Sequence, residues 1–338
     1  MDNSSGNVLG VTAKVISTLP LPGTPTMQQS SQDIRRNSSS TIPYPRDGSH
    51  RRLSSSLSAG IVTCDPTLKD WTDRYMYKHC PEWKAMYPET KGKRQSPINL
   101  FSQDAVYDPS LTKSQMTFAY STSRDTEILN NGHTLVIYPR SKQVLSGGPL
   151  SHGSEYELGE IRFHWGRDDT RGSEHTVNNK AFPMEVQLIH WNTRHQDNQE
   201  DALGRPGGVV IVSLFTQVGR EHQGLRVITD GLEDVQYKGR QKSLLTGFNP
   251  ACLLPDPSLR DFWTYDGSLT APPCNEEVTW ILFRYPLMIS HPQIEEFRRL
   301  RTTSKGDILR VGDDGIMVDN FRPIQPLHGR KCRASFQS

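Results

Sequence analysis

Glutamate, arginine and histidine alternate along residues 160–165, at the spacing with which a β-strand presents side chains on one face. Glu160, Arg162 and His164 fall on this face, and three apolar residues fall on the other. Histidine is a common zinc ligand, whereas arginine stays protonated in proteins and brings a fixed positive charge. The face therefore combines a single imidazole donor with a charge that repels a metal ion.

A second polar face follows along residues 185–190, where Glu185, Gln187 and Ile189 alternate with aliphatic residues that we expect to be buried. A carboxamide is a weak metal ligand, so Gln187 adds little to the donor set. Taken alone, the periodicity favours a simpler interpretation, in which both polar faces are the solvated sides of an antiparallel sheet.

The stretches around these two faces change that interpretation. Six short motifs occur in order along the chain, and together they resemble the α-class carbonic anhydrases over residues 80–336. The motifs are QSPINL at 95–100, NNGH at 130–133, FHWG at 163–166, GSEHTV at 172–177, GSLTAPPC at 267–274 and DNFRP at 319–323. Further stretches resemble the intracellular, acatalytic branch of that family, the carbonic anhydrase-related proteins. The long serine-rich N-terminus and Gln187 indicate an invertebrate-like member of this branch.

The resemblance assigns a zinc site to three positions on the two polar faces. In active members of the family three histidines hold the zinc ion, and the corresponding residues here are Arg162, His164 and Gln187. Three protein ligands are needed before zinc-bound water titrates near neutral pH. We therefore expect that the zinc site is lost, that there is no other cofactor, and that the protein is not an enzyme.

Other parts of the family's catalytic apparatus are expected to persist. The resemblance assigns Glu174 and Thr270 to the pair that orients the zinc-bound hydroxide, and His133 to the proton shuttle. We expect Glu174 and Thr270 to remain a buried hydrogen-bonded pair. The resemblance also implies an apolar wall for carbon dioxide, formed by Ile189, Ile211, Leu269 and Trp280.

The charge of Arg162 needs an offset, because buried charges persist only when they are paired. Glu160 lies two residues away on the same strand face, and Glu185 comes from the strand expected beside it. We predict that Arg162 fills the vacated zinc position and pairs with Glu160, Glu185 or both.

From residue 66 onward the sequence predicts one mainly β (α+β) domain, 66–338, with a mostly antiparallel sheet and short peripheral helices. The resemblance adds that this sheet is large, twisted and central. Runs rich in valine, isoleucine, leucine and aromatic residues alternate with turn residues. The predicted strands include 134–138, 160–165, 184–191, 209–215 and 278–283, and the clearest helix signal is 292–301.

Residues 1–65 differ in composition from the rest, with 13 Ser, 5 Pro and Tyr44 as the single aromatic residue. Such a stretch buries too little apolar surface to offset its ordering entropy, so we expect a disordered extension. Ser38 and Ser54 each follow an arginine pair, as basophilic kinases prefer, and are phosphorylation candidates. Chance occurrence in a serine-rich segment is an equal alternative.

Composition also limits the partners and the compartment. Six basic and four acidic residues in the extension account for the whole formal charge of +2, so the rest is neutral and we expect no nucleic-acid binding. The sequence has no apolar run of about 18 residues and no recognisable secretory signal, so we expect no membrane insertion. The five cysteines show no C-x-x-C pairing. They are expected to be free thiols in a cytoplasmic protein.

Three functions stay open. The favoured one is a non-enzymatic, monomeric protein-binding or regulatory module, for which the resemblance implies the inositol trisphosphate receptor as partner. The basic run 298–301 and the extension are candidate contact surfaces. The second is an active zinc carbonate dehydratase, and the third is a small-anion-binding pocket at Arg162, which fails if Glu160 already neutralises the arginine.

Overall fold

A computed structural model describes residue 77 and residues 80–194, 198–309 and 311–337. All of them belong to one compact unit, Leu53–Ser338. The predicted extension 1–65, with Ser38 and Ser54, lies outside the described residues, as does the beginning of the predicted domain 66–338.

The described residues contain fifteen strands and four α-helices. The strands are β1 (Asn99–Leu100), β2 (Val106–Tyr107), β3 (Thr117–Ala119), β4 (Thr126–Asn130), β5 (Leu135–Tyr138), β6 (Val144–Ser146), β7 (Tyr156–Trp165), β8 (Thr176–Val177), β9 (Met184–Asn192), β10 (Val209–Val218), β11 (Gln241–Leu244), β12 (Phe262–Ser268), β13 (Glu276–Phe283), β14 (Leu287–Ile289) and β15 (Arg333–Ala334). The helices are α1 (Cys80–Met86), α2 (Gln199–Ala202), α3 (Gln223–Thr229) and α4 (His291–Arg298).

Thirteen of these strands form one sheet, in the order β11-β4-β5-β7-β9-β10-β13-β12-β15-β2, with β14, β3 and β6 attached beside this path. Most neighbours run antiparallel, but β10 pairs in parallel with β13 and β14, and β15 pairs in parallel with β2. The predicted fold class is confirmed. The five predicted strands are all present as β5, β7, β9, β10 and β13, with ends that differ by up to four residues.

Two adjacent central strands, β7 and β9, each place one face in the main hydrophobic core. Ile161, Phe163 and Trp165 of β7 are fully buried there, next to Val186 and Leu188 of β9. Burying side chains of this size stabilises a fold by about 1.5–3 kcal/mol each. This packing fixes which residues of β7 and β9 point to the opposite face, where the predicted polar residues lie.

The sequence predicts helix α4 over residues 292–301. The helix begins one residue before the predicted start and ends three residues before the predicted end. Ser290 caps its first turn in a reciprocal capping box with Gln293, which satisfies backbone N–H groups at the helix start. Within this segment Ile294, Phe297 and Leu300 recur at three-residue spacing, and all three are buried in the core. The apolar spacing is thus correct, although Leu300 lies beyond the helix in a turn closed by its N–H to the Phe297 carbonyl.

None of the helices in the described ranges has both the length and the apolar character that a bilayer crossing requires. The four cysteines within those ranges, Cys80, Cys252, Cys274 and Cys332, are free thiols, as predicted. Cys64 lies outside them.

Candidate functional site

Strands β7 and β9 bring the three predicted zinc positions together. Arg162 lies directly opposite Gln187 in the antiparallel register, and His164 lies opposite Glu185. We refer to Arg162, His164 and Gln187 as the substituted site. His164 and Gln187 are each 1% exposed and Arg162 is half-buried, so this face of the sheet is not solvated.

Arg162 forms an ion pair with Glu160, as predicted. The Nη2 atom of Arg162 lies 2.8 Å from Oε1 of Glu160, and the Gln199 Nε2 donates to the same oxygen at 3.2 Å. The Glu160 side chain is 5% exposed, so the arginine supplies the counter-charge that a buried carboxylate requires. Because Glu160 neutralises Arg162, the predicted small-anion pocket at Arg162 fails.

Glu185 takes no part in that pair, so of the predicted alternatives the structure shows the pair with Glu160 alone. Its carboxylate accepts from the His175 N–H at 2.9 Å, His175 Nδ1 at 3.0 Å, Ser213 Oγ at 2.8 Å and Gln187 Nε2 at 3.1 Å. The register explains the outcome, since Glu185 faces His164 rather than Arg162 across the two strands. Burial acts to raise the pKa of Glu185, but the charge and hydrogen bonds of His175 outweigh it and lower the pKa to about 2.

The Gln187 carboxamide bridges two buried carboxylates. Its Nε2 donates to Oε2 of Glu174 at 2.8 Å and to Oε1 of Glu185 at 3.1 Å. Both N–H groups of the amide are thereby used, and only its carbonyl oxygen remains as a weak metal ligand.

The predicted hydrogen bond between Glu174 and Thr270 is wrong. Within the described part of the chain, Glu174 accepts from Gln187 Nε2 and from the backbone N–H of Arg322 at 3.0 Å, and no hydrogen bond joins it to Thr270. The Glu174 carboxylate is instead oriented by these two donors, one on each of its oxygens. Thr270 itself stays buried, at 4% exposure.

His164 is the one imidazole of the substituted site. Its Nδ1 donates to the backbone carbonyl of Asn320 at 2.8 Å, because a carbonyl oxygen can only accept. Its Nε2 faces Oε2 of Glu174 at 3.5 Å. The Tyr77 ring packs edge-on against the His164 ring, with centroids 6.0 Å apart.

His133, the predicted proton-shuttle residue, is connected to this region through its backbone. The Asn320 Nδ2 donates to the carbonyls of His133 at 3.0 Å and Phe163 at 3.2 Å. Burial, and after it the charges of Lys238 and Arg162, lower the pKa of His133 to about 3. A proton shuttle works best with a pKa near the operating pH, so His133 is poorly suited to that role at pH 7.

The four residues of the predicted apolar wall lie together. Ile189, Ile211, Leu269 and Trp280 are between 0% and 2% exposed and belong to one hydrophobic cluster. Ile211 of β10 lies opposite Ile189 on one side and Trp280 on the other. We refer to these four residues as the apolar wall.

A buried hydrogen-bonded chain behind Glu185 is absent from the sequence-based prediction. The Ser96 hydroxyl bonds the Tyr265 hydroxyl at 2.7 Å, which bonds His175 Nε2 at 2.6 Å. His175 Nδ1 then donates to Glu185. The signal for two of these residues is their place in the QSPINL and GSEHTV motifs, whereas Tyr265 lies on the unpredicted strand β12.

The donor set of the substituted site does not fit zinc. Zinc sites in proteins use at least three donors drawn from imidazole, thiolate and carboxylate groups. The substituted site offers one imidazole, a guanidinium that forms an ion pair with Glu160, and a carboxamide whose N–H groups donate hydrogen bonds to carboxylates. No cluster of three or more His, Cys, Asp or Glu residues in the described ranges is arranged to hold a metal ion. No metal-dependent step can be assigned to this site.

Two of the three arginines in the basic run 298–301 have acidic partners among the described residues. Arg298 is 8% exposed at its side chain and pairs with Asp169 and Glu295, both at 2.7 Å. Arg299 pairs with Glu296 at 2.8 Å. These partners offset two of the three arginine charges, which weakens the run's case as a contact surface, while Arg301 donates to the backbone carbonyl of Asp314.

The fold and this arrangement of residues agree with the comparison to known families. Residues 78–336 match the eukaryotic-type carbonic anhydrases, and the chain belongs to that family.

Within the family, the chain is similar to proteins named carbonic anhydrase-related protein. The Rattus norvegicus protein is 58% identical over 261 residues, which cover 77% of this chain and 90% of the relative. The Homo sapiens protein is 57% identical over 261 residues, which cover 77% of this chain and 90% of that relative. Carbonic anhydrase 7 of Mus musculus is 44% identical over 259 residues, 76% of this chain and 94% of that protein. These similarities confirm the predicted family and support the predicted branch.

Proposed function

We propose that this chain is a catalytically inactive carbonic anhydrase-like protein that acts in the cytoplasm as a monomeric protein-binding or regulatory module. The observation that carries the proposal is the ion pair between Arg162 and Glu160 at 2.8 Å. By resemblance, Arg162 stands where an active member of the family has a zinc-binding histidine. A guanidinium paired with a carboxylate does not bind zinc, and its positive charge repels another cation.

A binding role is favoured because the interior of the site is already used by the protein's own groups. Glu160, Glu174 and Glu185 each accept hydrogen bonds or an ion pair from neighbouring residues. Among the described residues of the site, none of these carboxylates is then available as a nucleophile, which leaves binding at the outer surface as the expected activity. The family resemblance supports the inositol trisphosphate receptor as the partner, which would make the protein a regulator of calcium signalling.

Two assays on the purified full-length chain test this proposal separately. Stopped-flow hydration of carbon dioxide should give the uncatalysed rate, with and without added Zn²⁺. Calorimetric titration with the purified cytosolic ligand-binding portion of an inositol trisphosphate receptor should give saturable binding and a lower affinity of that portion for inositol trisphosphate. Catalysed hydration would overturn the inactive assignment, and a flat titration would remove this receptor as the partner.

The same titration can test the N-terminal extension with variants at Ser54, which stays a predicted phosphorylation site. Phosphorylation adds a charge of roughly −2 and would overturn the mild positive charge of the extension. A Ser54→Glu chain should then differ in receptor affinity from a Ser54→Ala chain. Equal affinities of the two variants would separate Ser54 from the binding function.

A further inference from the structure

Gln187 donates two hydrogen bonds from one nitrogen atom to two different carboxylates. Its Nε2 lies 2.8 Å from Oε2 of Glu174 and 3.1 Å from Oε1 of Glu185. All three side chains are at most 1% exposed. A carboxamide nitrogen carries two N–H groups, whereas each nitrogen of a neutral imidazole carries at most one. Glutamine at position 187 therefore makes a bridge that histidine could not make from a single atom.

The two carboxylates depend on this bridge to different degrees. Glu185 accepts three further hydrogen bonds from its neighbours. Glu174, in the described structure, receives one from the Arg322 backbone N–H on Oε1 and one from Gln187 on Oε2. The His164 ring stays 3.5 Å from Oε2. Without the Gln187 amide, one oxygen of a buried carboxylate would therefore lose its hydrogen-bond donor, which is costly.

The bridge also joins separate parts of the fold. Glu174 lies in the segment that precedes β8, while Gln187 lies near the middle of β9 and directly opposite Ser213 of β10. The Ser213 hydroxyl donates to the same Glu185 oxygen that accepts from Gln187. The amide therefore ties a connecting segment to the centre of the main sheet.

We propose that Gln187 is a structural bridge between Glu174 and Glu185 that keeps this part of the domain folded without a metal ion at the substituted site. The residue is then more than a missing ligand, because its two N–H groups donate to two buried carboxylates. This inference rests on the proposed function in one respect, the absence of a bound metal.

Urea unfolding of the full-length protein in the presence of EDTA tests the bridge. The variants are Gln187→His, Gln187→Met and, as a matched control, Gln217→His at the solvent-exposed end of β10. Both position-187 variants should raise the unfolding equilibrium constant by at least about tenfold, because a buried carboxylate oxygen loses its donor. The Gln217→His protein should unfold like the wild type. A Gln187→His protein that fails to fold beside a folded control would also support the bridge.

A double-mutant cycle with Glu174→Gln separates the bridge from general packing. Gln187→Met should cost less in the Glu174→Gln background, because the neutral amide at position 174 no longer needs a donor as strongly. Position-187 variants as stable as the wild type, or a cycle with no coupling, would overturn the bridge. Wild-type protein that loses stability in EDTA would instead overturn the metal-free function, so the two failures are distinguishable.

Discussion

The apolar wall and the substituted site share strand β9 but make different demands on the sequence. Gln187 of β9 belongs to the substituted site, and Ile189, two residues further along, belongs to the apolar wall. A wall of aliphatic and aromatic groups needs the right volume, and it tolerates exchange between side chains of similar size. A site of buried charges needs each donor matched to an acceptor, so one changed residue alters the partners of several others. The lesson is that the hydrogen-bond network, rather than the wall, accounts for the chemistry of this site.

The largest effect should come from removing the positive charge of the buried ion pair. Arg162→Leu leaves Glu160 buried without its counter-charge, and we expect a loss of about 3–5 kcal/mol in the free energy of unfolding. Urea denaturation measures it. The double variant Glu160→Gln/Arg162→Leu is the control, and it should recover much of the loss because a neutral pair needs no counter-charge. An Arg162→Leu protein that unfolds like the wild type would contradict the pairing.

The apolar wall should respond in proportion to the volume removed. Ile211→Ala should cost about 2–5 kcal/mol and Ile211→Val about 0.5–1.5 kcal/mol, because each leaves a cavity in a packed cluster. Leu245→Ala is a suitable control, since Leu245 is 89% exposed. Equal costs for the Ala and Val variants would show that packing at Ile211 does not follow this rule. Calorimetric unfolding provides the measurement.

A third and smaller effect on stability concerns a buried histidine of β9, on the face opposite to Gln187 and Ile189. His190 is 0% exposed and hydrogen-bonds the Tyr120 hydroxyl at 2.5 Å. Burial lowers the pKa of His190 from 6.5 to about 3. Because this pKa is lower in the folded protein, the unfolded chain takes up the proton first. The stability that neutral His190 contributes is therefore complete above pH 6.5 and is lost as the pH falls from 6.5 towards 3.

His190→Gln should weaken that pH dependence in a defined window. The lowered pKa of Glu185, about 2 against a usual 4.5, places its own contribution lower, where stability is lost between pH 4.5 and 2. Urea midpoints of the wild type and His190→Gln at about pH 7 and about pH 5 isolate the histidine effect. The wild type should lose more stability than the variant between these two values. Parallel losses would assign the effect to another group.

Alternation along the chain predicts the strands and faces of β7 and β9, but it does not predict their register. Register decides that Arg162 faces Gln187 and that His164 faces Glu185, and so removes Glu185 from the pair with Arg162. Only the three-dimensional arrangement places His175 beside Glu185. A sequence pattern shows how residues are spaced within one strand. It does not show how far those residues lie from residues in the segments that connect the strands.

One expectation from the family resemblance is wrong at the substituted site, where Gln187 donates a hydrogen bond to Glu174. The expected bond between Glu174 and Thr270 is absent among the described residues, where Gln187 Nε2 donates to the Glu174 carboxylate. Strand β12 is absent from the prediction because its second half, Asp266 to Ser268, has the composition of a turn. Tyr265 and the buried chain behind Glu185 are missed with it.

Zinc content is the most direct test of the central claim that the site no longer holds a catalytic metal. The wild type and an Arg162→His/Gln187→His variant are both produced with excess Zn²⁺, desalted and measured by atomic emission. The double variant restores three imidazoles, the number that a catalytic zinc site needs. The wild type should retain no stoichiometric zinc, while the double variant should retain about one ion per chain. One tightly held zinc ion in the wild type would contradict the account.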